Sequence, residues 1–120
     1  MNKVTVVLGA SPNYERYSYK ATILLKEYGH TVYPLGIKAG KIENQEIIIS
    51  RPNISDVDTV TLYLSAQNQV SWYDYILSLN PKRIIFNPGA ENQELIELAK
   101  DKGIECLNAC TLVLLKTGMY

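Results

Sequence analysis

The residues of this chain that could do chemistry gather in one short run, Gly9 to Ser18, which reads GASPNYERYS. An apolar stretch ends at Gly9, a polar loop carries Ser11, Pro12, Asn13 and Arg16, and a helical pattern follows. A helix start presents unpaired N–H groups and about half a positive charge, a ready site for phosphate. Ser18 is placed to cap that helix, its hydroxyl serving the helix backbone, a phosphate oxygen or both. Arg16 reads as a phosphate donor or as a solvated surface charge. The run lacks the GxGxxG dinucleotide pattern, because no glycine follows Gly9 until Gly29, and no Gly-Lys-Ser/Thr makes it a P-loop.

Other chemistry has little material. The one histidine, His30, follows Gly29 and reads as a surface residue at the amino end of a strand, away from the loop. Without it no Ser-His-acid set can be built. Cys106 and Cys110 stand four apart with no Cys or His companions, so four metal ligands cannot be assembled without carboxylates. Both read as reduced cytosolic thiols. Cys110 is the best nucleophile candidate, at the start of the last helix where a thiolate is favoured. No general base stands beside it. The expectation is a non-enzyme with no catalytic residue and no metal.

The elements that position the loop follow from periodicity. Lys3–Leu8 (KVTVVL) is β-branched and nearly all apolar, as in a strand covered on both faces of a parallel sheet. Tyr19–Tyr28 reads as a helix with Ala21, Leu24, Leu25 and Tyr28 inward, and HTVYPL as a strand ended by Pro34. The stretch 36–55 reads as a loop with one short strand, Glu46–Ile49. Asp58–Ser65 is a strand, and Asn68–Leu79 a helix with Val70, Tyr73, Ile76 and Leu77 inward, stopped by Asn80-Pro81. The strand KRIIFN, a loop and helix in PGAENQELIELAKDKG, the last strand IECLNA and a short terminal helix TLVLLKTG complete the chain. This alternation predicts an α/β fold: a three-layer, Rossmann-like, open and mostly parallel sheet with helices on both faces and the first strand central. Length predicts one domain over 1–120, burying about 65% of its unfolded surface.

In such sheets ligands bind beyond the carboxyl ends of the strands, where strand order reverses. Four loops should meet there: Gly9–Ser18, Pro34–Lys38, Ser65–Asn68 and Asn87–Ala90. NAD-binding folds place an acid after the second strand to hold the ribose hydroxyls. Here TVYPLGIK has none and ends in Lys38, which suits an extra ribose phosphate, as on coenzyme A or NADP, or is simply a solvated loop lysine.

Twelve basic and twelve acidic side chains cancel, so nothing in the balance suits a nucleic-acid backbone. The apolar runs are too short to span a membrane, and no signal-peptide pattern follows Met1. A cytoplasmic location is the default expectation.

The segment VVLGASPNYERYSYKATILLKEYGHTVYPL resembles the opening of the small single-domain CoA-binding proteins, which are similar to the CoA-binding domain of the succinyl-CoA synthetase α subunit. The resemblance rests on Gly9, Ala10, Ser11, Pro12, Asn13, Arg16 and Ser18, and later on Asn87, Pro88, Gly89, Glu91, Asn92 and Cys110. It implies that coenzyme A or an acyl-CoA is bound without catalysis. The backbone from Gly9 to Pro12, with Arg16, Tyr17 and the Ser18 hydroxyl, would take the pyrophosphate. Pro34 and Lys38 would border the adenosine, and Ser65 with the Asn87, Pro88 and Gly89 loop would line the rest. Gly36-Ile37 departs from the Asn-Pro that family members often carry before the lysine. The other readings are an NADP-type redox protein, and an interaction module whose apolar tail TLVLLKTGMY meets a second copy or another protein.

Overall fold

A computed structural model describes all 120 residues. Five strands form one parallel sheet: β1 (Thr5–Leu8), β2 (Val32–Leu35), β5 (Thr59–Leu62), β6 (Arg83–Phe86) and β7 (Glu105–Asn108), in the order β2-β1-β5-β6-β7. A separate antiparallel hairpin, β3 (Lys41–Ile42) and β4 (Gln45–Glu46), follows β2. The helices are α1 (Tyr17–Glu27), α2 (Ala66–Gln69), α3 (Tyr73–Ser78), α4 (Gln93–Lys100) and α5 (Thr111–Lys116), with a 3-10 turn Val70–Trp72 between α2 and α3. Every residue of β1, β5 and β6 is buried, which is why TVVL, TVTL and RIIF run without alternating exposed positions.

The strand expected at Glu46–Ile49 resolves into β4 and a single parallel bridge from Ile48 to Leu35 on the outer edge of β2. Counting that bridge as a rudimentary strand gives the order 3-2-1-4-5-6 of Rossmann folds, with β1 internal. Pro34 does not end β2; it lies within it. Its carbonyl accepts the Ile48 N–H at 2.8 Å, so the missing proline N–H faces the outer edge and leaves the ladder to β1 intact.

The strands pack two cores, one on each face. Val6, Leu8, Val60, Leu62, Ile84 and Phe86 meet Trp72, Ile76, Leu95 and Ala99. On the other face Val7 and Val32 meet Leu25 of α1, Leu115 of α5, and Ile42 and Ile47 beside the hairpin. A fully buried Leu or Ile contributes roughly 1.5–3 kcal/mol.

Two helices differ from their expected faces. α1 starts at Tyr17, and its buried stripe is Ser18, Ala21, Thr22 and Leu25; Tyr28 is exposed. The expected helix 68–79 breaks into α2, the 3-10 turn and α3. Gln69, Trp72 and Ile76 face inward, and Val70 is 55% exposed. Gln69 takes the inward place because all its polar atoms are bonded: its Nε2 donates to the Leu64 and Ala90 carbonyls and its Oε1 accepts from Asn92.

The tail packs on its own sheet. The Tyr120 hydroxyl and the Thr5 Oγ1 are 2.5 Å apart, and its ring covers the Arg83 guanidinium at 4.3 Å. Met119 and Val113 stay exposed. His30 is not a free surface residue: its Nδ1 accepts the Lys3 N–H at 2.9 Å and its ring centroid lies 5.0 Å from that of Tyr120. No helix is long and apolar enough to cross a membrane.

Burial first, then Lys3, the N-terminus and Arg83, lower the His30 pKa below its ordinary 6.5, against a smaller opposite effect of Asp58. The unfolded chain therefore binds the His30 proton more readily, and stability falls as pH drops through about 6.5 toward the lower folded value. Thermal melts from pH 7.5 to 5.5 should show a falling midpoint. His30→Asn, which keeps an acceptor for the Lys3 N–H and has no proton to gain, should flatten that slope.

Candidate functional site

The strand order reverses at β1, and a cleft of about 630 Å³ opens there beyond the carboxyl ends of β1 and β5. The predicted loops after β1, β2 and β6 meet in it. Gly9, Ala10, Ser11 and Pro12 form its floor, and Arg16, Tyr17 and Ser18 come from the first turn of α1. Gly36, Ile37 and Lys38 make the wall after β2; Pro88, Gly89 and Ala90 make the wall after β6.

The backbone of the first loop is partly committed. Gly9 turns the chain at φ +99°, and the N–H groups of Gly9 and Ala10 both donate to the Leu35 carbonyl, at 2.9 and 2.8 Å. Neither amide is open to a ligand, and Pro12 has none, so Ser11 is the one open backbone donor from Gly9 to Pro12. This corrects the expectation that the whole stretch cradles phosphate. The Ser11 Oγ accepts the Asn13 N–H, the Asn13 Oδ1 accepts the Glu15 N–H, and the Asn13 carbonyl accepts the Arg16 N–H. These three bonds turn the chain into α1.

Ser18 does not cap α1. The N-cap is Arg16, which makes no side-chain capping bond. Ser18 is the second helical residue, 3% exposed, and its carbonyl accepts the Thr22 hydroxyl at 2.8 Å. The first acceptor the helix supplies to its own start is the Arg16 carbonyl, which takes the Lys20 N–H. The amides of Tyr17, Ser18 and Tyr19 thus have no acceptor within the chain. An eleven-residue helix opens uncapped at the cleft, and the exposed cations Arg16 and Lys38 belong to the same lining.

Three predicted residues lie outside the lining. Pro34 is buried in β2. Ser65 is exposed at the N-cap of α2 and makes no capping bond. Asn87 is 2% exposed and fully used: its Nδ2 donates to the Thr61 Oγ1 and the Leu62 carbonyl, and its Oδ1 accepts the Thr111 N–H. It holds β5, β6 and α5 together beneath the cleft.

The cleft also contains Tyr63, Leu64 and Trp72, which lie outside the four loops expected from the sequence. Trp72 was hidden by the unbroken helix expected at 68–79. Tyr63 directly follows β5 and could have been found from its place at a strand end. Burial raises its pKa well above the ordinary phenol value, so it stays neutral. The Gly89 N–H is taken by Glu91 Oε1 at 2.9 Å, which puts an acid at that rim. Cys110 is the N-cap of α5 and is not part of the lining.

A family model described as "CoA binding domain" matches residues 3–116. The chain belongs to that family. A solved structure titled "Crystal structure of uncharacterized protein" is 52% identical, covers 100% of this chain and 99% of its own, and superposes with a TM-score of 0.98. A hypothetical protein from Pyrococcus horikoshii OT3 shares the fold at 23% identity and TM-score 0.85, covering 96% of this chain and 82% of its own. A Thermus thermophilus structure does so at 19% identity and TM-score 0.83, covering 98% and 90%. No curated protein matches the chain significantly.

In this member of the CoA binding domain family, Gly36 carries a geometric demand. A Cβ there would sit well inside contact distance of the Ala10 carbonyl oxygen. Gly36→Ala should push the two walls apart and cost roughly 1–3 kcal/mol of stability by overpacking. A urea denaturation curve with an unchanged midpoint would contradict the contact.

Proposed function

We propose that this chain binds coenzyme A or an acyl-CoA and carries out no reaction on it. The observation that carries the reading is the uncapped start of α1, opening on a cleft flanked by Arg16 and Lys38 in a member of the CoA binding domain family.

The pyrophosphate would rest on the amides of Ser11, Tyr17, Ser18 and Tyr19, with Arg16 beside it. Charge-assisted bonds to such amides contribute about 1.5–3 kcal/mol each. Lys38, after β2, would meet the phosphate on the ribose. Ile37, 86% exposed, stands where family members often carry a proline and gives the adenosine an apolar neighbour. The pantetheine arm would then run past Gly9 toward Leu64, Pro88 and Trp72.

The non-catalytic reading draws support from what surrounds the reactive groups. His30 precedes β2, at the amino edge of the sheet, and its Nδ1 is engaged by Lys3. Cys106 lies on the edge strand β7 with its thiol pKa raised by burial, which opposes nucleophilic use.

Isothermal titration of the protein with coenzyme A, dephospho-coenzyme A and NADPH tests the reading. Coenzyme A should bind tightest, with the ribose phosphate contributing about tenfold. Lys38→Ala should remove most of that preference while sparing dephospho-coenzyme A. NADPH as the tightest ligand would favour the redox reading, and no heat from any of the three would contradict nucleotide binding.

A further inference from the structure

We infer that Arg51 sets the length of acyl group that the cleft accepts, by holding the Trp72 indole as the wall at its thiol end. The inference rests on the coenzyme A reading and deepens it toward the class of thioester bound.

With the phosphates at the start of α1, the part of the lining that follows β5 and β6 supplies an apolar surface of Leu64, Trp72 and Ala90. Trp72 is 6% exposed and is the largest side chain there. It is gripped from outside the cleft. The Arg51 guanidinium carbon lies 3.8 Å from the indole centroid, while Arg51 itself is exposed and lines no part of the cleft. Arg51 Nη1 also donates to the Ser71 carbonyl at 2.8 Å, next to Trp72 in the chain. Tyr75 meets the indole edge-on at 5.8 Å, and its hydroxyl donates to the Pro52 carbonyl at 2.7 Å. Residues 51 and 52 are thus strapped to the 3-10 turn and α3 at three points, all around one indole.

The consequence is a stiff wall. A cation over an aromatic face attracts it, and a planar guanidinium can stack there while its N–H groups bond in the same plane. The indole is backed on two sides: Arg51 lies over its face and Tyr75 stands at its edge. A free thiol or a two-carbon acyl group fits against such a wall. A long acyl chain must displace the indole, breaking the stack and the Ser71 bond together. Arg51 is therefore a positioning residue that touches no ligand, and its effect appears in selectivity between thioesters.

Calorimetric titration with coenzyme A, acetyl-CoA and octanoyl-CoA, on the native chain and on Arg51→Ala, Arg51→Lys and Trp72→Phe, tests this. In the native chain coenzyme A and acetyl-CoA should bind within about threefold of each other, and octanoyl-CoA at least about tenfold more weakly. Arg51→Ala should bring octanoyl-CoA at least about fivefold closer to coenzyme A, with coenzyme A itself changed by less than about twofold. Arg51→Lys, which keeps a cation over the ring, should restore part of the discrimination. Trp72→Phe, which shortens the wall and keeps an aromatic core residue, should relax it. Octanoyl-CoA binding as tightly as coenzyme A in the native chain, or Arg51→Ala weakening all three ligands in parallel, would overturn the inference and leave the coenzyme A reading standing. A folded native chain that binds none of the three would overturn both.

Discussion

The structure turns on one close approach, between the loop that leaves β1 and the end of β2. The Leu35 carbonyl accepts two amides, from Gly9 and Ala10, and Gly36 presses its bare Cα against the Ala10 carbonyl. Glycine is required there because the space for a Cβ is already filled by backbone. That contact consumes two of the amides a phosphate loop would ordinarily present. It also bends the chain so that the Ser11–Asn13 turn delivers α1 with its first amides at the cleft. The open donors the fold leaves at the cleft are therefore a helix end and one serine amide, beside the side chains of Arg16 and Lys38.

Beneath the cleft, two buried amide side chains do for the other loops what Leu35 does for the first. Asn87 ties the ends of β5 and β6 to the start of α5, and Gln69 ties the loops after β5 and β6 to the Asn92 cap of α4. Each is fully bonded, which is the condition for a polar group to sit at 0–2% exposure without a large penalty. They make the cleft walls rigid without facing the ligand.

The fold was readable because its signals are local and repeated: fully apolar strands alternate with amphipathic helices, and the alternation leaves few topologies. The meeting of three of the four predicted loops followed from the same order. What escaped the sequence depended on phase and on partners. Ser18 enters the inward stripe of α1 because the helix begins two residues earlier than its apolar pattern suggests, and Thr22 can join it because its hydroxyl donates to the Ser18 carbonyl. Gln69 faces inward because carbonyls of two distant loops wait for it, which no periodicity encodes. The same break in the helix that buries Gln69 brings Trp72 to the cleft. Asn87 looked like a ligand contact because it stands at a strand end, and only the positions of Thr61 and Thr111 show its polar atoms in use. The open amides of Tyr17, Ser18 and Tyr19 are visible only once the cap is seen to be Arg16.

In the proposed complex with coenzyme A those amides anchor the ligand. An amide-resolved NMR titration of the labelled protein with coenzyme A tests this most directly. The N–H signals of Ser11, Tyr17, Ser18 and Tyr19 should move the most and downfield, as donors do on meeting a phosphate, while Gly9 and Ala10, already bonded to Leu35, move little. Large shifts at Gly9 and Ala10 with Tyr17–Tyr19 unmoved, or shifts confined to α4 and β7, would contradict it.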